Sequence, residues 1–116
     1  MAHSHPLSDW QLHCARRTVL GGGVIAYPTE AVWGLGCDPW DQEAVEKVLE
    51  LKQRPVEKGV ILVASSLDQV RFLLDPLPLL LRAEAERHWP GPVTCLLPDP
   101  ERQVPEWVRG KHSSIA

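Results

Sequence analysis

The sequence predicts an α/β fold, on three observations. Two segments with helical periodicity each follow a capping residue, a short β-prone segment separates them, and the branched apolar run GVILVA comes after the second. Alternation of helix-forming and strand-forming segments is typical of an α/β sandwich. With 116 residues, 44% of them hydrophobic and 23% charged, the chain suits one globular domain. The pattern leaves the pairing order of the strands open.

The first helix is expected over residues 9–20. Ser8 and Gln11 form the S-x-x-Q pattern of a capping box, and Gly21-Gly22-Gly23 ends the helix because glycine tolerates the left-handed position after a helix. The residues expected to face inward are Trp10, Cys14, Ala15 and Val19.

Three later segments are expected to be helical. Asp41 can cap a second helix over residues 42–52, Ser65 or Ser66 can cap a third, and a fourth is expected over residues 79–88.

Three segments are expected to be strands. VIAY (24–27) is stopped by Pro28, and GVILVA (59–64) is apolar throughout, so we expect it to be covered on both faces. VTCLLP (93–98) follows the turn WPGP (89–92).

Composition and charge exclude several classes of protein. The net charge of −3 argues against nucleic-acid binding driven by an overall excess of basic residues, although a local basic patch stays possible. No apolar run approaches the ~20 residues of a membrane span, and the first residues lack the pattern of a signal peptide. We therefore expect a cytoplasmic protein without a membrane partner, and a disordered tail over residues 1–7.

The cysteines and histidines predict neither a disulfide framework nor a metal site. Cys14, Cys37 and Cys95 are odd in number, far apart and without a C-x-x-C pair, so reduced thiols are expected. His3 and His5 lie on the expected tail. No nucleophile motif and no zinc motif occurs.

Three cations near the end of the second helix are candidates for binding a polyphosphate. Lys52, Arg54 and Lys58 lie within seven residues that hold a single acid, Glu57. Arginine can grip two phosphate oxygens in a fork, and lysine acts as a point charge. The alternative is that these cations only complement the helix dipole.

The loop YPTEAVWGLG is a second candidate. Thr29 offers a hydroxyl where the strand ends, and Gly34 and Gly36 would let backbone approach a ligand closely, although a plain turn explains them equally well. Thr94, after the WPGP turn, matters only if it faces the same cavity as Thr29. Four tryptophans are expected in the core or in pocket walls: Trp33, Trp40, Trp89 and Trp107.

Taken together, these motifs resemble the YrdC-like family, and within it the TsaC type. Y-P-T-E, G-L-G-C-D, K-x-R-P and P-G-P-x-T follow one another in that order and at family-like spacing. The resemblance covers about residues 8–116. It implies a twisted mixed β-sheet with flanking helices, of which the chain is expected to hold the N-terminal two-thirds and to lack the C-terminal third.

The resemblance also implies roles for five residues. Thr29 would line a threonine pocket, and Lys52 and Arg54 would lie over the phosphates of a nucleotide in a positively charged cavity. Lys58 would lie beside that cavity, and Thr94 beside the ATP site. No residue is implied as a metal ligand.

The activity that the resemblance implies is threonylcarbamoyl-AMP synthesis. L-Threonine, bicarbonate and ATP, the last with Mg²⁺, would give threonylcarbamoyl-AMP and pyrophosphate, and the product would feed t6A modification of tRNA together with other proteins of that pathway. Two alternatives stay open. One is a module that binds double-stranded RNA or tRNA without catalysis, and the other is the YrdC-like domain of a hydrogenase-maturation carbamoyltransferase.

The sequence also departs from the family pattern. The downstream Ser-x-Asn motif that faces K-x-R is absent, Trp33 replaces a more usual tyrosine, and GVILVA carries no histidine. Because half of the nucleotide site would lie in the missing third, we expect that the chain alone binds weakly or lacks activity.

Overall fold

A computed structural model describes residues 8–29, 32–91 and 93–116. The expected tail over residues 1–7 lies outside these ranges. The helices are α1 (Asp9–Leu20), α2 (Gln42–Lys52), α3 (Arg71–Leu74), α4 (Leu79–Glu86) and α5 (Glu106–Arg109), and the strands are β1 (Ile25–Pro28), β2 (Trp33–Gly36), β3 (Leu97–Pro98) and β4 (Ser114–Ile115). Two 3₁₀ turns span Val56–Lys58 and Leu67–Val70. The chain divides into two compact units, Met1–Gln53 and Arg54–Ala116.

Helix α1 has the bounds and the caps that the sequence predicted. The Ser8 side chain accepts a hydrogen bond from the Gln11 backbone N–H at 3.1 Å, and the Gln11 side chain accepts one from the Ser8 N–H at 2.9 Å. At the other end Gly22 has a φ of 85°, and the backbone N–H groups of Gly21, Gly22 and Gly23 donate hydrogen bonds to carbonyl groups of the last helical turn. The predicted inward face is wrong for Trp10, which is 71% exposed, because no residue of α1 is fully buried.

Helix α2 also has the predicted bounds. The Asp41 side chain accepts a hydrogen bond from the Ala44 N–H at 3.2 Å, as an N-cap does. The helix buries a stripe at helical spacing, namely Ala44, Val45, Val48 and Leu49. It ends at Lys52, and the next residue, Gln53, turns the chain out of the helix with a φ of 52°.

Strands β1 and β2 form an antiparallel hairpin in the first unit. The register pairs Ile25 with Gly36 and Tyr27 with Gly34. Strand β1 includes Pro28, which the sequence interpretation had placed after the strand. Proline has no backbone N–H to donate to a ladder, so in sheets it is confined to edge strands, the first residue of a strand and bulges.

The second unit is built around a small apolar core. Its members come from α3, α4, α5, the two short strands and the loop before α5: Leu73, Leu74, Ala85, Leu97, Val104, Val108 and Ile115. The predicted third helix is divided into a 3₁₀ turn and α3, and Ser66 precedes the turn without a side-chain capping bond. The predicted fourth helix is α4, which ends two residues early, at Glu86.

The expected strand over residues 59–64 is not formed as predicted. Besides a local bond from the Gly59 N–H to the Val56 carbonyl, the segment donates two backbone hydrogen bonds to the end of the chain, from the Val60 N–H to the Val108 carbonyl at 2.8 Å and from the Leu62 N–H to the Ala116 carbonyl at 3.0 Å. Ile61, which lies between the two donors, is 62% exposed, and Val63, which follows the second donor, is 75% exposed. The prediction of two covered faces is therefore wrong, since only alternate residues are covered.

The expected strand over residues 93–98 is reduced to its last two residues. Strand β3 pairs antiparallel with β4, with Leu97 opposite Ile115 and Pro98 opposite Ser114. Residues 93–96 are not part of this pairing. Across the described part of the chain, no helix has the length and apolar character that a membrane crossing requires.

Candidate substrate-binding site

Thr29 is exposed where strand β1 ends, and its hydroxyl group ties that end to the start of β2. The Thr29 hydroxyl donates to the Val32 carbonyl, and the Val32 N–H donates to the Thr29 hydroxyl at 3.1 Å. The Thr29 N–H also donates to the Val32 carbonyl at 3.2 Å. These bonds fix the orientation of the threonine side chain at the tip of the hairpin.

The glycines of the G-L-G motif are explained within the hairpin itself. A Cβ atom built on Gly34 would lie 3.2 Å from Cζ of Tyr27, and one on Gly36 would lie 2.8 Å from Cε1 of the same ring. Tyr27 faces Gly34 directly in the register, so the two glycines make room for its ring. The hypothesis that they admit a ligand is therefore not needed to account for them.

Cys37 follows the glycines and is a half-buried free thiol. Burial raises the pKa of the Cys37 thiol, and the Asp38 and Asp41 carboxylates raise it further. A raised pKa keeps the thiol protonated at neutral pH, which is the opposite of what a nucleophilic cysteine requires.

Lys52 is the last residue of α2 and is exposed. Within the first unit it stands at the carboxyl end of the helix, where the dipole favours a positive charge. Thr29 and Lys52 are the predicted site residues that this unit contains.

Arg54 and Lys58 are brought together in the second unit by one tight loop, residues 54–60, which we call the cation loop. The Arg54 Nε donates to the Gly59 carbonyl at 2.9 Å, and this bond closes the loop over the 3₁₀ turn. Lys58 is the last residue of that turn. Among residues 8–29, 32–91 and 93–116, no carboxylate lies within 4.0 Å of the charged groups of Lys52, Arg54 or Lys58.

The cation loop is held against the segment that follows α5. The Lys111 N–H donates to the Glu57 carbonyl at 3.0 Å, and Gly59 has a φ of 72°. A Cβ on Gly59 would lie 2.7 Å from the Arg109 carbonyl oxygen, and one on Gly110 would lie 2.6 Å from the Gly59 nitrogen. The two backbones thus touch at two glycines, and side chains at these positions would separate them.

Arg109, whose carbonyl lies against Gly59, forms a buried ion pair with Asp99 that the sequence analysis did not predict. The Asp99 and Arg109 side chains are 1% and 3% exposed, and the Arg109 Nη2 donates to the Asp99 carboxylate. Asp99 also accepts hydrogen bonds from the N–H groups of Gln103, at 3.0 Å, and Val104, at 2.9 Å. The only sequence signal is one acid and one base ten positions apart in a loop-rich segment, which is too weak to predict a pair.

The remaining predicted residues are less informative. Thr94 is exposed in the second unit. Trp33 and Trp40 are 71% and 50% exposed, and Trp89 and Trp107 are half-buried, so the expectation of core tryptophans is wrong. Their role as pocket walls stays a prediction.

Comparison with known proteins shows which family these features define. The model of the Sua5/YciO/YrdC family, described as "Telomere recombination", matches residues 17–116. The chain therefore belongs to this family. A solved structure of P. abyssi Sua5 complexed with L-threonine superposes with a TM-score of 0.83 at 32% sequence identity, over 96% of this chain and 32% of that one. This match confirms the predicted α/β fold of the YrdC-like type.

Two curated relatives carry the same name. A threonylcarbamoyl-AMP synthase of Marinobacter nauticus is 76% identical over 116 residues, which is all of this chain and 61% of the relative. A threonylcarbamoyl-AMP synthase of Pseudomonas aeruginosa (strain PAO1) is 56% identical over 110 residues, or 95% of this chain and 59% of the relative. The chain thus spans about three-fifths of the length of these relatives.

Proposed function

We propose that the chain carries part of a threonylcarbamoyl-AMP synthase site that serves t6A modification of tRNA. The observation that supports this most directly is the cation loop, which presents Arg54 and Lys58 without competing carboxylates among the described residues. The 76% identity to the Marinobacter nauticus synthase supports the same activity. The Sua5 structure with L-threonine supports threonine as the substrate.

The proposed reaction has two stages. The amino group of L-threonine combines with bicarbonate to give a carbamate and water. A carbamate oxygen then attacks the α-phosphorus of ATP, an O–P bond forms, and the bond to the β-phosphate oxygen breaks to release pyrophosphate. Negative charge accumulates on the phosphoryl oxygens and on the leaving pyrophosphate during this second stage. Fixed cationic donors stabilise that charge, and no side-chain nucleophile is needed.

In this proposal each candidate residue has a distinct role. Lys52, Arg54 and Lys58 bind the phosphates, with Arg54 held in place through its Nε so that its terminal nitrogens can donate to oxygen. Thr29 contacts the substrate threonine from the end of strand β1, and Thr94 contacts ATP. Arg54 is the residue whose orientation the structure explains best.

Mg²⁺ enters this proposal with the nucleotide. No three histidine, cysteine, aspartate or glutamate side chains converge anywhere in the described ranges, so these residues do not fit a protein cage for the ion. Mg²⁺ is commonly bound through substrate phosphates, and here it would arrive as Mg–ATP.

The test is pyrophosphate release from ATP that depends on both L-threonine and bicarbonate. The Lys52→Ala/Arg54→Ala double variant should abolish it. The matched control is Arg71→Ala/Arg87→Ala, which removes two exposed cations that are engaged with Asp68 and Glu84. Turnover that survives the first double variant, or falls equally in the control, would refute the roles of Lys52 and Arg54. If the wild-type chain binds ATP but does not turn over, the site is present and incomplete.

One observation favours RNA binding as a second candidate function. The backbone N–H of Lys111 donates to the Glu57 carbonyl and places residue 111 beside the cation loop. A basic patch extended by its side chain would suit the phosphates of double-stranded RNA or tRNA. Binding through such a patch should weaken steeply with salt, and Lys111→Ala should reduce the slope of log K against log salt by about one. A slope unaffected by this change would count against RNA binding here.

A further inference from the structure

We propose that the buried pair of Asp99 and Arg109 positions the cation loop and thereby orients Arg54 for phosphate binding. The inference rests on the proposed function for its last step, from the orientation of Arg54 to the ligand. Its earlier steps concern contacts within the second unit alone.

The first step is the pair itself. The Arg109 Nη2 donates both to the Asp99 carboxylate and to the Val104 carbonyl, the latter at 3.1 Å. Asp99 in turn accepts the backbone N–H groups of Gln103 and Val104. The loop between β3 and α5 and the last residue of α5 are therefore tied to one carboxylate.

The second step runs from α5 to the cation loop. The Val108 carbonyl accepts the Val60 N–H at 2.8 Å, and the Lys111 N–H donates to the Glu57 carbonyl at 3.0 Å. These two bonds flank Arg109 on either side in sequence. A shift of Arg109 would thus move both anchors of the loop.

The third step is from the loop to Arg54. The Arg54 Nε donates to the Gly59 carbonyl, and Gly59 lies between the two anchors, with its nitrogen against Gly110. The position of the Gly59 carbonyl depends on the contact of the two backbones, which Arg109 maintains. The guanidinium of Arg54 is oriented by that carbonyl.

Fold stability alone gives a poor account of the pair. Buried ion pairs often stabilise a protein no more than apolar side chains of similar volume do. In addition, the Arg109 Nε is buried and has no hydrogen-bond partner within the described part of the chain. An unsatisfied buried donor costs stability, so the ordering of the junction is the better explanation.

The experiment compares Asp99→Asn with Leu74→Ala in the 116-residue chain. Leu74 is fully buried in α3 and nonpolar, so its truncation destabilises the protein without removing a charge or a hydrogen bond of the pair. The readouts are amide hydrogen exchange at Val60 and Lys111 and the Kd for Mg–ATP by calorimetry. Asp99→Asn should accelerate exchange at both amides and weaken ATP binding about tenfold, the effect of impairing one charge-assisted hydrogen bond. Leu74→Ala should leave the Kd unchanged when both proteins are folded.

The outcomes separate the inference from the proposed function. Unchanged exchange at Val60 and Lys111 in Asp99→Asn would overturn the inference, and so would faster exchange with an unchanged Kd for ATP. A wild-type chain that does not bind ATP would refute the proposed function. The exchange rates of the Val60 and Lys111 amides would then still show whether the pair orders the loop. If Asp99→Asn does not fold, Arg109→Lys keeps both charges but loses the Nη2 group that donates to both Asp99 and Val104, and it is expected to show the same two effects more weakly.

Discussion

Replacing Gly59 by alanine should destabilise the second unit strongly. Gly59 has a φ of 72° and a ψ of 174°, a conformation that is essentially restricted to glycine and costs other residues about 1–3 kcal/mol. The new Cβ would lie 2.7 Å from the Arg109 carbonyl oxygen and 3.0 Å from that of Val108. Relieving such overlaps in a packed region costs about 1–3 kcal/mol more.

Together these contributions predict a loss of about 2–6 kcal/mol. Domains of this size have a free energy of unfolding of about 5–15 kcal/mol, so the loss is a large fraction of the total. At about 4 °C per kcal/mol, the melting temperature should fall by roughly 8–24 °C. Urea denaturation followed by circular dichroism measures the free energy of unfolding directly, and thermal denaturation gives the melting temperature.

The matched control is Gly21→Ala, which makes the same chemical change at the end of α1. Gly21 has a φ of −86°, and its Cβ would lie 3.2 Å from the Arg17 carbonyl oxygen. We expect it to change the free energy of unfolding by less than about 1 kcal/mol. A Gly59→Ala protein as stable as the Gly21→Ala protein would refute the argument that the cation loop requires glycine where it meets Arg109.

Three further predictions concern single side chains. Asp41→Ala removes the hydrogen bond from Ala44 and should lower the free energy of unfolding by about 1 kcal/mol, measured in urea. Thr29→Val removes the hydroxyl that bonds to Val32 and should accelerate amide exchange at Val32 while weakening any binding of L-threonine. Burial opposes the charge on Asp99, but hydrogen bonds from backbone N–H groups and the Arg109 guanidinium hold the Asp99 pKa below its ordinary 3.8. Stability from Asp99 is therefore present above pH 3.8 and lost as the pH falls through the lower folded-state pKa, and Asp99→Asn should flatten that acid transition.

Each of these predictions has a result that would contradict it. Asp41→Asn should keep most of the cap, so equal losses in Asp41→Ala and Asp41→Asn would show that the cap is not the cause. Thr29→Ser retains the hydroxyl and should retain the protection of Val32. An acid transition that is identical in wild type and Asp99→Asn would assign the loss of stability to other carboxylates.

The features that the sequence predicted best are those decided within a few residues. The bounds of α1 and α2 follow from Ser8, Gln11 and Asp41, because a cap is satisfied by backbone groups two or three residues away. The K-x-R-P motif was likewise recognisable as a local pattern of charges at the end of a helix.

The features that it predicted poorly depend on distant partners. The branched run over residues 59–64 has strong β-propensity, but its hydrogen bonds go to Val108 and Ala116, and its cover is one-sided. Trp10 has the character of a core residue and is exposed, because helical periodicity does not say which face has a neighbour. The Asp99–Arg109 pair depends on how one loop folds back, which no spacing rule encodes.

The ring of Tyr27 against Gly34 and Gly36 has a consequence for how this hairpin can vary. An alanine at position 36 would overlap the ring, and an alanine at position 34 would crowd it. Either alanine should therefore lower the free energy of unfolding because it overlaps the Tyr27 ring, and the loss should be smaller when Tyr27 is replaced by a small residue. The effects of substitutions at these three positions are therefore not additive: an alanine at position 34 or 36 should cost less stability when residue 27 is also small. Residues 27, 34 and 36 are expected to vary together, because the space beside the two glycines is filled by the side chain at position 27.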